Sequence, residues 1–193
     1  MLSSGDIKAI FFDLDDTILD IEERKVEAAL RLMQLRSIKA SRRLIKNLFN
    51  SGKNWLEVLK ILGIPIKEDV LAQYVNFFIE AHNLSKLQPG ARKAIKTLEN
   101  RFKLFIVTSR ENPAQVEKEL EELGVRRFFC HIVTREQAAE HFGLTRLPLQ
   151  PFSHQRRLLY QCALEFSDLS PKQVIVVGDH PRELLPAKMV WCQ

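Results

Sequence analysis

The chain of 193 residues suits one domain of ordinary size, or a core that carries a smaller insertion, and its 46% hydrophobic and 27% charged residues are typical of a soluble globular protein. No hydrophobic stretch approaches the roughly 18 residues of a membrane-spanning helix, and the N-terminal residues lack the pattern of a signal peptide. Three distant cysteines argue against a disulfide framework or a zinc site, so a cytoplasmic protein is expected. The net charge of +5 favours anionic partners without naming one.

The first predicted strand, residues 8–12, is hydrophobic and ends directly before Asp13, Asp15 and Asp16. Side chains two residues apart on an extended backbone point to the same side, so Asp13 and Asp15 can face one cleft. Two neighbouring carboxylates resist being ionised together, and one of them tends to keep a proton. That division suits a nucleophile beside a general acid, and the cluster would also attract Mg²⁺. An acidic turn in which Asp15 or Asp16 only caps the next segment is the alternative.

Residues from about 21 to 83 carry only helical periodicity, interrupted at "NSGKN" and "LGIPI". Within this stretch, residues 28–56 contain seven Lys or Arg and no Asp or Glu. Such a stripe could gather anionic small molecules or nucleic acid. Hydrophobic residues between the charges and the absence of interleaved aromatic residues favour a solvated helix face instead, so nucleic-acid binding is not expected.

Beyond "LQPG" at 87–90, the pattern changes to an alternation of strands and helices. Strands are predicted over 103–107, 128–133 and 173–177, and helices over 91–100, 113–123 and 153–166, the last with Ser153 as its N-cap. Short hydrophobic strands separated by helices predict a doubly wound α/β fold with a parallel, Rossmann-like sheet, and ligands of such sheets bind beyond the carboxyl ends of the strands. We therefore predict a core of residues 1–19 and 88–193, with an all-helical insertion over 20–87.

Three stretches at successive strand ends carry a family resemblance. "FFDLDDTILD" resembles the first signature, D-x-D-x-T, of the haloacid dehalogenase-like superfamily; "LFIVTSR", whose strand ends before Thr108, resembles the second; and "VIVVGDHPRE", with Gly178, Asp179 and Glu183, resembles the fourth. The helical insertion between the first two signatures is similar to the cap of phosphoglycolate phosphatase-like members. Dehalogenases lack an aspartate at the Asp15 position, so the sequence resembles the phosphatase branch.

The resemblance implies a Mg²⁺-dependent phosphatase that acts on a small phosphorylated metabolite. Asp13 would attack phosphorus and form an aspartyl-phosphate, and Asp15 would protonate the leaving oxygen and then activate water. The Asp13 carboxylate, the Asp15 backbone carbonyl and Asp179 would hold Mg²⁺. The Thr108 hydroxyl and the Ser109 amide would bind phosphoryl oxygens. Glu183 would either orient the waters of the metal or lie idle on a helix surface.

Two features depart from the family pattern. The third signature is a lysine, and the matching stretch "LPLQPFSHQ" has Gln150 in its place. Another cation is therefore expected beside the phosphate, and we predict Arg156, whose planar guanidinium suits a phosphate, although Arg156 and Arg157 could instead form the wet face of their helix. In addition, only fourteen residues follow Asp179, so either the sheet lacks an edge strand or the sequence is part of a longer chain.

Other functions stay open at this point. A phosphomutase would share Asp13 and Asp15, and a non-catalytic relative that binds a partner would explain the uncharged Gln150. A receiver domain also combines Asp, Thr, Lys and Mg²⁺, but its phosphorylated Asp lies on a later strand, and it needs no helical insertion of this size. The sequence does not name the substrate or the oligomeric state.

Overall fold

The computed structural model describes residues 7–147 and 152–191. The chain divides into two units, one formed by Met1–Leu19 and Leu87–Gln193 and the other by Asp20–Lys86. We call them the α/β unit and the helical unit. None of the described helices is both long and hydrophobic enough to cross a lipid bilayer.

The described residues contain six strands, which are β1 (Ala9–Phe12), β2 (Leu19–Asp20), β3 (Lys86–Leu87), β4 (Lys103–Val107), β5 (His131–Val133) and β6 (Val174–Val177). Four of them form a parallel sheet in the order β5-β4-β1-β6, and β2 pairs with β3. In the sheet, Phe12 lies opposite Ile106 on one side and Val177 on the other. The carboxyl ends of β1, β4 and β6 therefore lie at one edge, and the loops that follow them are neighbours.

Nine α-helices accompany these strands in the described residues, namely α1 (Glu22–Leu35), α2 (Arg42–Asn50), α3 (Trp55–Ile61), α4 (Glu68–Glu80), α5 (Ala91–Leu98), α6 (Pro113–Glu122), α7 (Arg135–His141), α8 (Phe152–Ser167) and α9 (Pro181–Trp191). All four side chains of β1 are buried, so both faces of the sheet are covered at this central strand. On one face, Phe11 and Phe105, whose ring centroids are 5.1 Å apart, share a cluster with Leu159 and Tyr160 of α8. The predicted parallel α/β fold is confirmed.

The helical unit has a hydrophobic core of its own, made by one side of each of α1–α4. Its buried residues include Leu32, Ile45, Leu59 and Tyr74, one from each helix. The interruptions predicted at "NSGKN" and "LGIPI" separate α2 from α3 and α3 from α4. Asn54 begins α3 with a capping box, in which its side chain accepts the backbone N–H of Glu57 and the Glu57 carboxylate accepts the N–H of Asn54.

Several predicted boundaries were wrong. The strand predicted over 128–133 is only His131–Val133, because Arg126–Phe128 forms a 3-10 turn from which Phe128 reaches the core. A hydrophobic run of this length does not distinguish a strand from a buried turn. The helix predicted from Ser153 begins at Phe152, so Ser153 lies inside it and is not its N-cap.

The helices α7 and α9 were also missed. The first has a sequence signal, since Thr134 and Gln137 form a capping box of the pattern T-x-x-Q. The second contains Pro186, which argues against a helix in sequence reasoning.

Candidate active site

Asp13 is the first residue after β1, and its side chain is buried. Its backbone N–H donates to the carbonyl of Val177 at 2.9 Å, which continues the pairing of β1 with β6. The carboxylate oxygen Oδ2 accepts a hydrogen bond from the Thr17 hydroxyl at 3.4 Å, and Oδ1 lies 3.0 Å from Nη2 of Arg156. Contacts to both oxygens therefore hold this carboxylate in one orientation.

Arg156 lies in the second turn of α8, and its side chain is completely buried. Its Nη1 donates to the carbonyl of Val107 at 3.2 Å and to Oγ of Ser109 at 3.3 Å, while Nη2 donates to the Tyr160 hydroxyl at 2.9 Å. Burying a charge is costly unless the charge is paired and hydrogen-bonded, and the contacts with Asp13 and these groups meet both conditions. Arg156 is therefore not part of the solvated face of its helix.

Asp15 pairs with a different arginine, Arg110, which follows β4. The guanidinium donates from Nε to Oδ2 of Asp15 at 3.0 Å and from Nη2 to Oδ1, which makes the pair bidentate. Its Nη1 donates to the buried carboxylate of Glu119 on α6. Burial alone would lower the pKa of Arg110, but the charges of Asp15 and Glu119 outweigh it and raise that pKa above its usual range. The two aspartates of the first signature thus have separate cationic partners.

The loop after β4 carries the two residues that were predicted to bind phosphate. Thr108 is buried, and its N–H donates to the carbonyl of Val133 at 2.9 Å. Its hydroxyl oxygen accepts the backbone N–H of Arg110 at 3.3 Å. Ser109 lies next to it and receives the hydrogen bond from Arg156. The structure thus brings the Thr108–Ser109 loop beside the loop of Asp13 and Asp15.

The turn that follows Asp15 contains backbone strain. Asp16 has a φ of 62°, in the left-handed region that residues with a Cβ rarely adopt. Its N–H donates to the carbonyl of Leu19 at 2.7 Å, and its carbonyl accepts from the Gln88 side chain at 3.2 Å. Aspartate is among the residues that tolerate this conformation best, and such strain is frequent at functional sites.

Asp179 lies on the other side of β1, two residues after the end of β6. Since Val177 pairs with Phe12, the loop that carries Gly178 and Asp179 follows the strand next to the one that Asp13 follows. The side chain of Asp179 is exposed. The structure therefore places Asp179 at the same edge of the sheet as Asp13.

The sequence of residues 10–192 matches the family model described as haloacid dehalogenase-like hydrolase. The chain belongs to the haloacid dehalogenase-like hydrolase family. The match spans both units, and the predicted family is thereby confirmed. No curated protein matches the sequence.

Solved structures of other haloacid dehalogenase-like proteins share the fold. A haloacid dehalogenase-like family hydrolase from Streptococcus pneumoniae is 19% identical with a TM-score of 0.73, and the match covers 96% of this chain and 82% of that one. A predicted phosphoglycolate phosphatase from Haemophilus somnus is 19% identical with a TM-score of 0.68, over 97% and 84% of the two chains. YfnB from Bacillus subtilis, described as bound to magnesium, is 20% identical with a TM-score of 0.63, over 96% and 84%.

The residues predicted to hold Mg²⁺ suit that ion chemically. They offer the carboxylates of Asp13 and Asp179 and the backbone carbonyl of Asp15, all of them oxygen donors. Mg²⁺ prefers oxygen ligands and usually keeps several waters, so one or two carboxylates are enough. Among residues 7–147 and 152–191, no group of three or more His, Cys, Asp or Glu side chains is arranged to hold a metal.

Sequence reasoning missed two members of the site and left one outside the described residues. Arg110 follows Ser109 directly and comes soon after β4, at the edge of the sheet where Asp15 lies, so the strand-end rule could have found it. Glu119 lies within α6, and no sequence signal linked it to Asp15. The prediction about Gln150 falls on a residue that the structure does not describe.

Proposed function

We propose that the chain is a Mg²⁺-dependent phosphatase that hydrolyses a small phosphorylated metabolite, with the α/β unit as the catalytic core and the helical unit as the cap. One observation carries the proposal most strongly. Asp13, at the end of β1, is buried with one carboxylate oxygen held by the fully buried Arg156. A carboxylate fixed in this way by a cation suits attack on an anionic phosphate better than a capping role in a turn.

The reaction divides between Asp13 and Asp15. Oδ2 of Asp13 attacks phosphorus, the bond from phosphorus to the leaving oxygen breaks, and an aspartyl-phosphate forms. Asp15 gives a proton to the leaving oxygen and then takes one from the water that hydrolyses the aspartyl-phosphate, which releases phosphate and restores Asp13. Arg156 lies 3.0 Å from Oδ1, while the Thr17 hydroxyl makes a longer contact of 3.4 Å with Oδ2, so Oδ2 is the proposed attacking oxygen.

Arg156 supplies the positive charge that the family obtains from the lysine of the third signature. A phosphoryl dianion beside Asp13 and Asp179 brings several negative charges together, and a guanidinium near them lowers the electrostatic cost. When bound to Asp13, the Asp15 carbonyl and Asp179, Mg²⁺ would neutralise further charge on the phosphoryl group. The magnesium-bound relative supports this choice of ion.

Thr108 and Ser109 are proposed to bind the phosphoryl oxygens. The Thr108 oxygen accepts the N–H of Arg110, so its own O–H points elsewhere and can donate to a ligand. Ser109 contributes its backbone N–H, while its side chain contacts Arg156. These donors lie on a loop fixed by a strand, which is the arrangement that stabilises developing charge without reorganisation.

The first experiment measures turnover of 4-nitrophenyl phosphate with Mg²⁺, after removal of metal with EDTA, and in Asp13→Asn. We expect activity only with the metal, and a loss of more than about 10³-fold in Asp13→Asn, because this variant has no nucleophile. Trapping a phosphorylated form of the wild-type protein, and none of the Asp13→Asn variant, would identify the aspartyl-phosphate intermediate. A screen of phosphorylated metabolites then finds the substrate. Absence of turnover with every compound would instead favour a binding protein.

A further inference from the structure

The ion pair between Arg110 and Asp15 has no role in the mechanism described above. It lies at the carboxyl edge of the sheet, where Asp15 is the residue proposed to move protons. The guanidinium contacts both oxygens of Asp15, from Nε and Nη2. Two parallel hydrogen bonds of this kind fix the plane of a carboxylate as well as its position. A guanidinium that donates to both oxygens pairs with the deprotonated carboxylate, so the contact suits the step in which Asp15 takes a proton from water. The reach of Asp15 to that water depends on a single rotamer.

The other side of the same guanidinium is fixed as well. Nη1 donates to Glu119, whose side chain is 4% exposed, and Nη2 also lies 3.5 Å from its second oxygen. Glu119 is in the middle of α6, a helix that starts with Asn112 as its N-cap and Pro113 in its first turn. The carboxylate of Glu119 is therefore held by helix α6, and Arg110 connects this helix to the loop of Asp15.

The backbone of Arg110 is held independently of its side chain. Its N–H donates to Thr108 Oγ1 at 3.3 Å, and its carbonyl accepts the N–H of Arg135 at 3.0 Å. The side chain of Arg110 is only 12% exposed. An arginine with little exposure, an anchored backbone and two carboxylate partners has little freedom to leave Asp15.

We propose that Arg110 is a positioning residue that holds the Asp15 carboxylate in the orientation in which it takes the proton from the hydrolytic water, and that Glu119 orients Arg110. This inference rests on the proposed phosphatase function. Arg110 acts only through Asp15 and does not contact the substrate. It therefore differs from Arg156, whose charge serves the nucleophile and the phosphate.

A double-mutant cycle tests the inference on the full-length protein with Mg²⁺ and 4-nitrophenyl phosphate. Kinetic constants are measured for wild type, Arg110→Gln, Asp15→Asn and the double variant. We expect Arg110→Gln to lower kcat by about 10- to 100-fold, as misplacement of a catalytic group does, with KM changed much less. In the Asp15→Asn background the same substitution should change kcat by less than about twofold, because its effect passes through Asp15.

Conservative and control variants separate positioning from a general loss of structure. Arg110→Lys keeps the charge but not the bidentate contact, so its kcat should lie between those of wild type and Arg110→Gln; it also serves as the test variant if Arg110→Gln does not fold. Glu119→Gln should lower kcat less than Arg110→Gln. The matched control is Arg126→Gln, which removes an ion pair in which Arg126 lies 2.9 Å from Glu117. Arg126 precedes β5 and so lies at the amino end of the strands, opposite the proposed site. This variant should keep wild-type kinetics.

Other outcomes overturn the inference. If Arg110→Gln lowers kcat equally with and without Asp15, or raises KM alone, then Arg110 contacts the substrate directly. Wild-type kinetics in Arg110→Gln would leave the pair without a catalytic role. In both cases, turnover by wild type and its absence in Asp13→Asn keep the proposed function intact. If wild type itself shows no turnover, the proposed function fails and this inference falls with it.

Discussion

Arg156 and Arg110 pair with aspartates inside the α/β unit, whereas Arg42 and Lys46 pair with glutamates at the surface of the helical unit. Arg42 lies 2.7 Å from Glu23 with both side chains at least 40% exposed, while the pair of Arg156 with Asp13 is 0% and 7% exposed. Lys46 lies 2.8 Å from Glu23, and its hydrogen bond holds the pKa of that carboxyl below its usual value. The same chemistry therefore occurs in two environments, and only one of them excludes water.

The surface pairs also show how part of the basic stripe is neutralised. Residues 28–56 contain no acidic residue, but folding brings α1 against this stretch, and Glu22, Glu23 and Glu27 pair with its Lys and Arg side chains. Glu80 of α4 pairs with Arg31 in the same way. Part of the stripe is thus paired with acidic residues of the same unit, as a solvated helix face would be. A count of charges in a sequence window cannot show this, because opposite charges come from outside the window.

The largest expected difference between the units concerns stability. Arg156→Met removes the counter-charge of a buried carboxylate and should lower the free energy of unfolding by about 3–5 kcal/mol, as measured by urea denaturation. Adding Asp13→Asn should restore part of that loss, because the neutral amide no longer needs the cation. The neighbouring Arg157→Met is the control, with an expected change within about 0.5 kcal/mol. A loss below 1 kcal/mol in Arg156→Met would remove the contrast between the units.

In the helical unit, we expect local backbone interactions to contribute more than any single ion pair. Asn54→Ala removes the side-chain acceptor of the α3 capping box and should cost about 1 kcal/mol of unfolding free energy. Asn54→Asp keeps an acceptor at the same place and should cost much less. Equal losses in the two variants would show that the hydrogen bond is not the cause.

Surface ion pairs should contribute least among the charged contacts. Lys46→Met removes the contacts with Glu22 and Glu23, and we expect it to lower the free energy of unfolding less than Arg156→Met or Asn54→Ala does. The change should shrink when the measurement is repeated at about 1 M salt, where the Debye length is only about 3 Å. A loss as large as that of Arg156→Met would contradict the role assigned to burial.

The smallest expected effect lies at the half-buried His131 of β5. Burial and the charge of Arg126 lower its pKa, against an opposing contribution from Glu117. The unfolded chain then takes up the proton first, so the stability contributed by neutral His131 is present above about pH 6.5 and is lost as the pH falls through the lower folded pKa. Between pH 7.5 and 5.5, unfolding free energy should therefore fall more in wild type than in His131→Gln. Identical slopes would exclude this contribution.

The sequence determined the fold class and the edge of the sheet at which the predicted site residues lie, because both depend on local patterns. Hydrophobic segments of strand length, interrupted by helices, predict a parallel sheet, and polar residues at successive strand ends must meet at one edge. Asp13 was found in this way, Thr108 and Asp179 came from the family resemblance, and the structure places all three after neighbouring strands. The resemblance also supplied the expected metal and reaction.

The tertiary structure alone decided which cation meets which carboxylate. Arg110 and Asp15 are 95 positions apart in the chain, and nothing in the sequence pairs that arginine with Asp15 in preference to Asp13. Arg156 was predicted as a substitute for a lysine, but its complete burial depends on the face that α8 turns toward the sheet. Successive side chains of an α-helix are rotated by about 100° about its axis. Sequence reasoning leaves helix boundaries uncertain by one or two residues, so it does not fix which side chains of α8 face the sheet. Long-range packing fixes the rotation, and with it the partners of both aspartates.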